Sequence, residues 1–403
     1  MATTAQAIPA HIPSERVREC RLFDREITYD NPYDAVIPQI HAGPDIFYAR
    51  NVLQGPVPGW VIRRAADIRA IYNDTENFYK QGNTQLASLI GEDWDIIPTE
   101  LDPPRHSGFR TALNPGFSPA KMAALDGRVR ERARHYVDRF KGKGHCEFVK
   151  DFAIPFPVTI FLDLLDFPLA EIDQFLEWEN ILLRSNDNGS RAITVQAVKT
   201  YLLKAIADRK KNPGDDLISK TLQLEVDGRR WTDEEVFGHC MNLYLGGLDT
   251  VTANLGLHFH HLATHAEDQE MLRAQPSKVV VAIEELLRAY PAVTTLRICR
   301  NPYTLDGVTI MPGDYVAMST PLAGRDPDLY DQPNQVRLDR KPSHLTLGFG
   351  IHRCLGQHLA RRELQIAMQE FLAAIPSFSI EPGFRVPFFL GNVIHVEQLR
   401  LVW

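Results

Sequence analysis

The stretch FGIHRCLGQH, Phe349 to His358, carries one cysteine, Cys354, among glycines at 348, 350 and 356. Leu364, Met368, Phe371 and Ile375 follow at steps of four, three and four, the period of one helix face. Cys354 is therefore placed where a glycine-rich loop enters a long helix. Outward-pointing N–H groups and the helix dipole at such a start favour negative charge, which stabilises a thiolate. With no second cysteine nearby to build a tetrahedral metal site, a thiolate held in this way suits a lone axial ligand to haem iron. The competing reading is a buried free thiol in a tight turn.

Working outward, the 403 residues are 44% hydrophobic and 24% charged, which is ordinary globular composition and enough for a large core. The net charge of -7 argues against nucleic acid or an anionic membrane as a general partner. Five widely spaced cysteines without a C-x-x-C read as reduced thiols, and a cytoplasmic location is expected. No basic segment with an apolar run opens the chain, and nowhere do eighteen apolar residues run together. Residues 1–12 are expected to be loosely ordered. Helical patterns dominate from about 118 to 290 and from 355 to 375. Tyr303 to Met318 reads as a hairpin, with strands also at Phe47-Tyr48, Trp60 to Ile62 and Val393 to Val402. One mainly α, helix-rich domain over 1–403 with small dispersed sheets is expected.

Segment 232–265 reads as one long helix, opened by a Thr232/Glu235 capping box. Gly246 and Gly247 in its middle cost about 2 kcal/mol relative to alanines, so something must approach the backbone there. Asn242, Gly246 and Thr250 share a face, with Asp249 beside them; a tight helix crossing would explain the glycines equally well. His258, His260, His261 and His265 lie further along. A zinc site there is the minor reading, since no H-E-x-x-H accompanies them. Glu285 and Arg288 are an i, i+3 pair, ordinarily a surface contact.

The Cys354 loop resembles the haem-binding segment of the cytochrome P450 monooxygenases, F-x-x-G-x-x-x-C-x-G. Gly350, Cys354 and Gly356 match, Phe349 lies within the loop, and Leu347 stands where the family has Phe. GGLDTV at 246–251 resembles the family's oxygen-binding groove, and EELLR its buried E-x-x-R ion pair. LDPPRHSGFR at 101–110 resembles the family's D-P-P-x-H-x-x-x-R. The resemblance extends less specifically over nearly the whole chain and comes nearest to the bacterial camphor hydroxylase group, where a Tyr stands in place of Trp94.

The resemblance implies a haem b monooxygenase with Cys354 on the iron and Gly246 leaving room for dioxygen. Thr250 would supply the hydroxyl that holds a proton there, and Asp249 would link it to solvent. His106, Arg110, Arg297 and His352 would hold the haem propionates. Glu285, Arg288 and Arg340 would brace the Cys loop. Trp94, Ile96, Thr99, Asn242, Leu245, Val251, Val293 and Thr295 would line the substrate pocket, with Asn242 as an alternative polar anchor. A compact apolar substrate follows, a monoterpenoid or norisoprenoid with one carbonyl. Electrons would come from a [2Fe–2S] ferredoxin and a separate NAD(P)H-dependent reductase, docking on a face with Arg69, Arg353 and Arg361 and with Glu76 where the camphor group is basic. A monomer is expected. A haem-thiolate peroxygenase or isomerase and a non-catalytic haem sensor are the other classes. Asp249-Thr250 speaks against the first, and the lack of length for an output module against the second.

Overall fold

The computed structural model describes residues 8–53, 57–82, 86–185 and 187–403. The elements that position the site are labelled here in chain order. The helices are α1 (Ala65–Asn73), α2 (Arg105–Leu113), α3 (Asp126–Asp138), α4 (Pro155–Leu165) and α5 (Ile172–Arg184). They continue as α6 (Asn188–Lys211), α7 (Asp233–Gly247), α8 (Asp249–Thr264), α9 (Val279–Ala289) and α10 (Gln357–Ala374). The strands are β1 (Ile46–Leu53), β2 (Val57–Ile62), β3 (Phe78–Tyr79), β4 (Thr294–Cys299), β5 (Tyr303–Leu305), β6 (Val308–Ile310) and β7 (Tyr315–Ser319).

Five of these strands form one sheet in the order β1-β2-β7-β4-β3, with only β2 and β7 parallel. The expected hairpin is shorter than the sequence suggests. β5 and β6 pair about Asp306-Gly307, both at positive φ, whereas the turn at Pro312-Gly313 sends β7 into the large sheet beside β4 and β2. The tail divides likewise: His395–Val396 and Arg400–Val402 join two different small sheets. Dispersed sheets around a helical body are what the alternation of short strand and long helix signals predicts.

The expected single helix over 232–265 is two. Thr232 and Glu235 form the capping box, bonding each other's backbone N–H at 3.2 and 2.8 Å. The run then breaks at Leu248 (φ -92, ψ -67) between α7 and α8. The break sits beside the glycine pair, where Thr250 Oγ1 donates to Gly246 O at 2.8 Å. Side-chain bonding of this kind competes with the helix's own ladder and bends it.

Three cores hold the elements. One surrounds α8 and α10 and includes a cluster of Phe148, Phe152, Phe259 and Phe371, with Phe148 and Phe259 stacked at 4.2 Å. Such pairs add about 0.5–1.5 kcal/mol beyond burial. A second packs α4, α5 and α6 against α7, and a third packs α1 on the large sheet. Ile12 is buried in the third core, so the end of the first dozen residues is anchored; residues 1–7 lie outside the described residues.

Candidate active site

A cavity of about 330 Å³ lies where the three cores meet, and α7, α8, β4 and the start of α10 wall it. Its floor is the Cys354 loop. Cys354 is half-buried, and its N–H donates to Leu347 O at 2.8 Å. Two glycines let the loop turn. Gly348 and Gly350 have φ of 72 and 67, and a Cβ on Gly350 would stand 2.8 Å from Tyr72 O. Gly356 begins α10 with open space on its Cα.

Burial raises the Cys354 thiol above its ordinary value, against the Gly356 backbone and the charges of Arg110, Arg361 and Arg353, which pull it down. The expectation that the loop by itself lowers the thiol is thus corrected: desolvation outweighs dipole and cations. Among the five cysteines, cations pull down only on Cys354. Burial pushes Cys20 and Cys240 up to about 12 and Cys299 up to about 11, and burial also raises Cys146, with nearby carboxylates adding to the rise in all four. A positive ion at the sulfur would complete what the loop begins.

Opposite Cys354, Gly246, Gly247 and Thr250 line the cavity, and both glycines face open space. Asp249 points elsewhere. It is buried and pairs with Arg184 Nη2 on α5 at 3.3 Å; Arg184 in turn lies 3.9 Å from Glu397. Glu179 faces the same group. Burial pushes it up to about 8, the Asp249 charge adds to the rise, and Arg184 opposes it.

One end of the cavity is densely cationic. Lys80, Arg110, Arg297 and His352 line it, and the His106 ring lies 4.3 Å from that of His352. Arg297 is buried, with Nη1 on Leu296 O and Nη2 without a partner. Both ring nitrogens of buried His106 and Nε2 of His352 are also without partners. Burial, with Arg110 next, brings His106 down to about 4, and burial plus the Lys80 and Arg297 charges drives His352 lower still. Burial, with Arg297 next, brings Lys80 down to about 7. The Arg297 guanidinium and the neutral imidazoles of His106 and His352 are buried polar groups without partners, which is costly unless a ligand with acceptor oxygens arrives. The donor set therefore fits a ligand carrying more than one carboxylate, as haem does with its two propionates.

Glu285 and Arg288 are wholly buried and bidentate, at 2.5 and 3.1 Å. Arg340 Nε stands 3.4 Å from Glu285, and the Arg337 N–H donates to the same carboxylate at 2.9 Å. Arg288 also donates to the carbonyls of Gly324, Pro333 and Gln335, which ties α9 to the chain leading into the Cys loop.

Of the expected pocket residues, Thr99, Asn242, Val251, Val293 and Thr295 line the cavity. Trp94, Ile96 and Leu245 do not. Trp94 sits in the second core, edge-on to Phe237 at 4.8 Å, and Ile96 is buried there beside it. Leu245 falls on the far side of α7, since residues 242, 243, 246, 247 and 250 share the facing side at 100° per residue. Leu243 takes its place. Phe349, too, is not on the cavity wall; it packs on the third core under Arg69. Leu347 lines the cavity at the position of the family Phe.

Lys80, Tyr72 and Glu363 line the cavity without a sequence signal. Burial pushes Glu363 up to about 8. Of the histidines at 258–265, His261 and His265 stack at 4.0 Å without forming a metal site. His261 binds Asp268 and Tyr290, and no cluster of three or more His, Cys, Asp or Glu able to hold a metal occurs among the described residues. On the expected docking face Arg353 is exposed, but Arg361 is bidentate to Glu284 at 2.7 and 3.0 Å and Arg69 is bonded to Ser343 O. No described helix is long and apolar enough to cross a membrane.

The model of the family described as "Cytochrome P450" matches residues 158–385. A protein of Sinorhizobium fredii named probable cytochrome P450 127A1 is 37% identical over 98% of this chain and 97% of its own. The crystal structure of cytochrome P450 CYP101C1 superposes with a TM-score of 0.88 at 34% identity, over 98% of this chain and 100% of that one. That of CYP101J2 gives 0.88 at 28% identity, over 99% of both chains.

Proposed function

The chain belongs to the cytochrome P450 family of haem monooxygenases, and on that footing we propose that it hydroxylates a compact, mostly apolar molecule, a monoterpenoid or norisoprenoid carrying one carbonyl. The balanced reaction is R–H + O2 + NAD(P)H + H⁺ to R–OH + H2O + NAD(P)⁺. The electrons pass through a [2Fe–2S] ferredoxin and its reductase. The observation that carries this reading is a cavity lined by Cys354, Gly246 and Thr250 together with apolar side chains, with Arg297, His352 and, beside it, His106 holding unpartnered nitrogens at one end.

Haem held by the Cys354 thiolate would supply dioxygen activation and the insertion of one oxygen atom into a C–H bond. The chain's own residues do the rest. Arg110, Arg297, His106, His352 and Lys80 would hold the propionates. The Glu285–Arg288–Arg340 group fixes the loop that presents Cys354. Thr250 Oγ1 keeps a proton at the glycine face, and Asp249 would link that face to solvent on leaving its pair with Arg184. Val251, Val293, Leu243 and Leu287 exclude water and orient the substrate. The superposition on the two CYP101 proteins supports the resemblance to the camphor hydroxylase group. Camphor itself is expected to bind weakly, because the camphor group's Tyr is Trp94 here and Trp94 is off the cavity wall.

The test is spectroscopic. The reduced protein with carbon monoxide should show the red-shifted thiolate band, and Cys354→His should lose it. A Cys354→His protein that kept the band would remove the assignment.

A further inference from the structure

Thr99 and Asn242 both line the cavity, with Thr99 Oγ1 2.5 Å from Asn242 Oδ1. That separation lies in the range of O–H···O bonds and is shorter than N–H···O bonds run, so the hydroxyl donates and the amide oxygen accepts. The bond therefore fixes which way the amide is turned. Its oxygen is engaged and its NH2 group is directed elsewhere. Nδ2 has no partner among the described residues and is not sealed from solvent, on a residue that lines the cavity.

Away from the cationic end the neighbouring uncharged side chains have their donors committed, while Asn254 Oδ1 is an acceptor without a partner. Thr250, Thr320 and Thr346 give their protons to the carbonyls of Gly246, Val293 and Leu287 at 2.8, 2.6 and 2.6 Å. Asn254 Nδ2 is tied to Thr250 O at 2.6 Å. Tyr72 and Thr295 bond each other at 2.7 Å beside Arg297, at the cationic end. The geometry points to Asn242 as the specificity-determining donor: its N–H, oriented by Thr99, recognises a single oxygen acceptor on an otherwise apolar substrate. The acceptor is a carbonyl or ether oxygen. Asn242 lies one turn before Gly246 and two before Thr250, so a molecule held there by its oxygen presents carbons remote from that oxygen to the glycine face. This rests on the reading of the chain as a haem monooxygenase of compact molecules.

The experiment is a haem spin-state titration of the haem-loaded protein with matched ketone, alcohol and hydrocarbon on three skeletons: fenchane, pinane and ionane. Ketones should bind about five- to tenfold more tightly than their hydrocarbons, the effect of one hydrogen bond. In Asn242→Leu the ketone-to-hydrocarbon ratio should collapse toward one. Thr99→Val, which frees the amide to rotate, should weaken the ratio and spread the hydroxylation sites, and Thr99→Ser should restore both. A ratio unchanged in Asn242→Leu overturns the assignment. So does a wild-type preference for alcohol over ketone that Asn242→Leu abolishes, which would put the amide oxygen and not the N–H on the cavity. If the carbon monoxide band is absent, the haem reading fails instead. If the band is present and none of the three skeletons shifts the spin state, the compact-substrate reading falls and this assignment falls with it.

Discussion

A single hydroxyl, Thr250 Oγ1, separates productive from wasted electrons in the proposed reaction. It lines the cavity opposite Cys354 and donates to Gly246 O, one turn back. Thr250→Ala removes the group that keeps a proton at the glycine face, while its bulk is too small for its loss to disturb the apolar walls. Product formed per nicotinamide oxidised should fall several-fold, with peroxide making up the difference, and Thr250→Ser should keep most of the coupling. Unchanged coupling in the alanine variant would exclude the hydroxyl from the mechanism.

Glycines act at the scale of the element, and α7 carries two kinds. Gly238 is packed: a Cβ there would lie 2.2 Å from Asp95 O, and the Gly238 carbonyl accepts from the Ile97 N–H. Gly246 faces open space on the cavity. The two alanine variants should therefore separate stability from ligand access. Gly238→Ala should destabilise by about 1–3 kcal/mol, the usual cost of overpacking. Gly246→Ala should leave the denaturation midpoint the same or raise it, by up to about 1 kcal/mol from helix propensity, yet weaken carbon monoxide binding to the reduced protein. Equal effects on both readouts would mean that the glycine pair serves a helix crossing and not the cavity.

Buried histidines set the acid limit of the whole molecule. His239 and His258 are buried, and burial holds them down to about 4 and about 3. Between pH 6.5 and those values the unfolded chain takes up protons that the folded histidines refuse, so their contribution to stability falls as pH drops below about 6.5, against the opposite contribution of Glu179 and Glu363, held up to about 8. Urea midpoints measured from pH 7 to pH 4.5 should show that loss, and the slope should flatten in His239→Gln and His258→Leu. Surface charge acts at the same scale. With a net charge of -7, docking of the proposed ferredoxin, if acidic, would depend on local cations near the Cys354 loop. Arg361 is neutralised by Glu284, so Arg353 carries that role. Electron-transfer rates should fall with rising salt, and Arg353→Glu should lower them several-fold at low salt.

What the sequence determined by itself was local. The Cys354 loop, the glycine pair, the capping box at Thr232 and the Glu285/Arg288 spacing each depend on residues within a few positions of one another. Backbone geometry and helix period make such groups readable without a fold. Tertiary structure decided everything that needed distant chain brought together or water removed. Lys80 and Glu363 reach the cavity through packing that no local spacing encodes. Trp94 and Leu245 turn away from it because neighbouring helices claim those faces. The Cys354 thiol is raised because desolvation, which exists only in the folded chain, outweighs the dipole and cations that the sequence makes visible. The pairing of Thr99 with Asn242 spans 143 positions. No sequence period could have said which face of that amide the cavity receives.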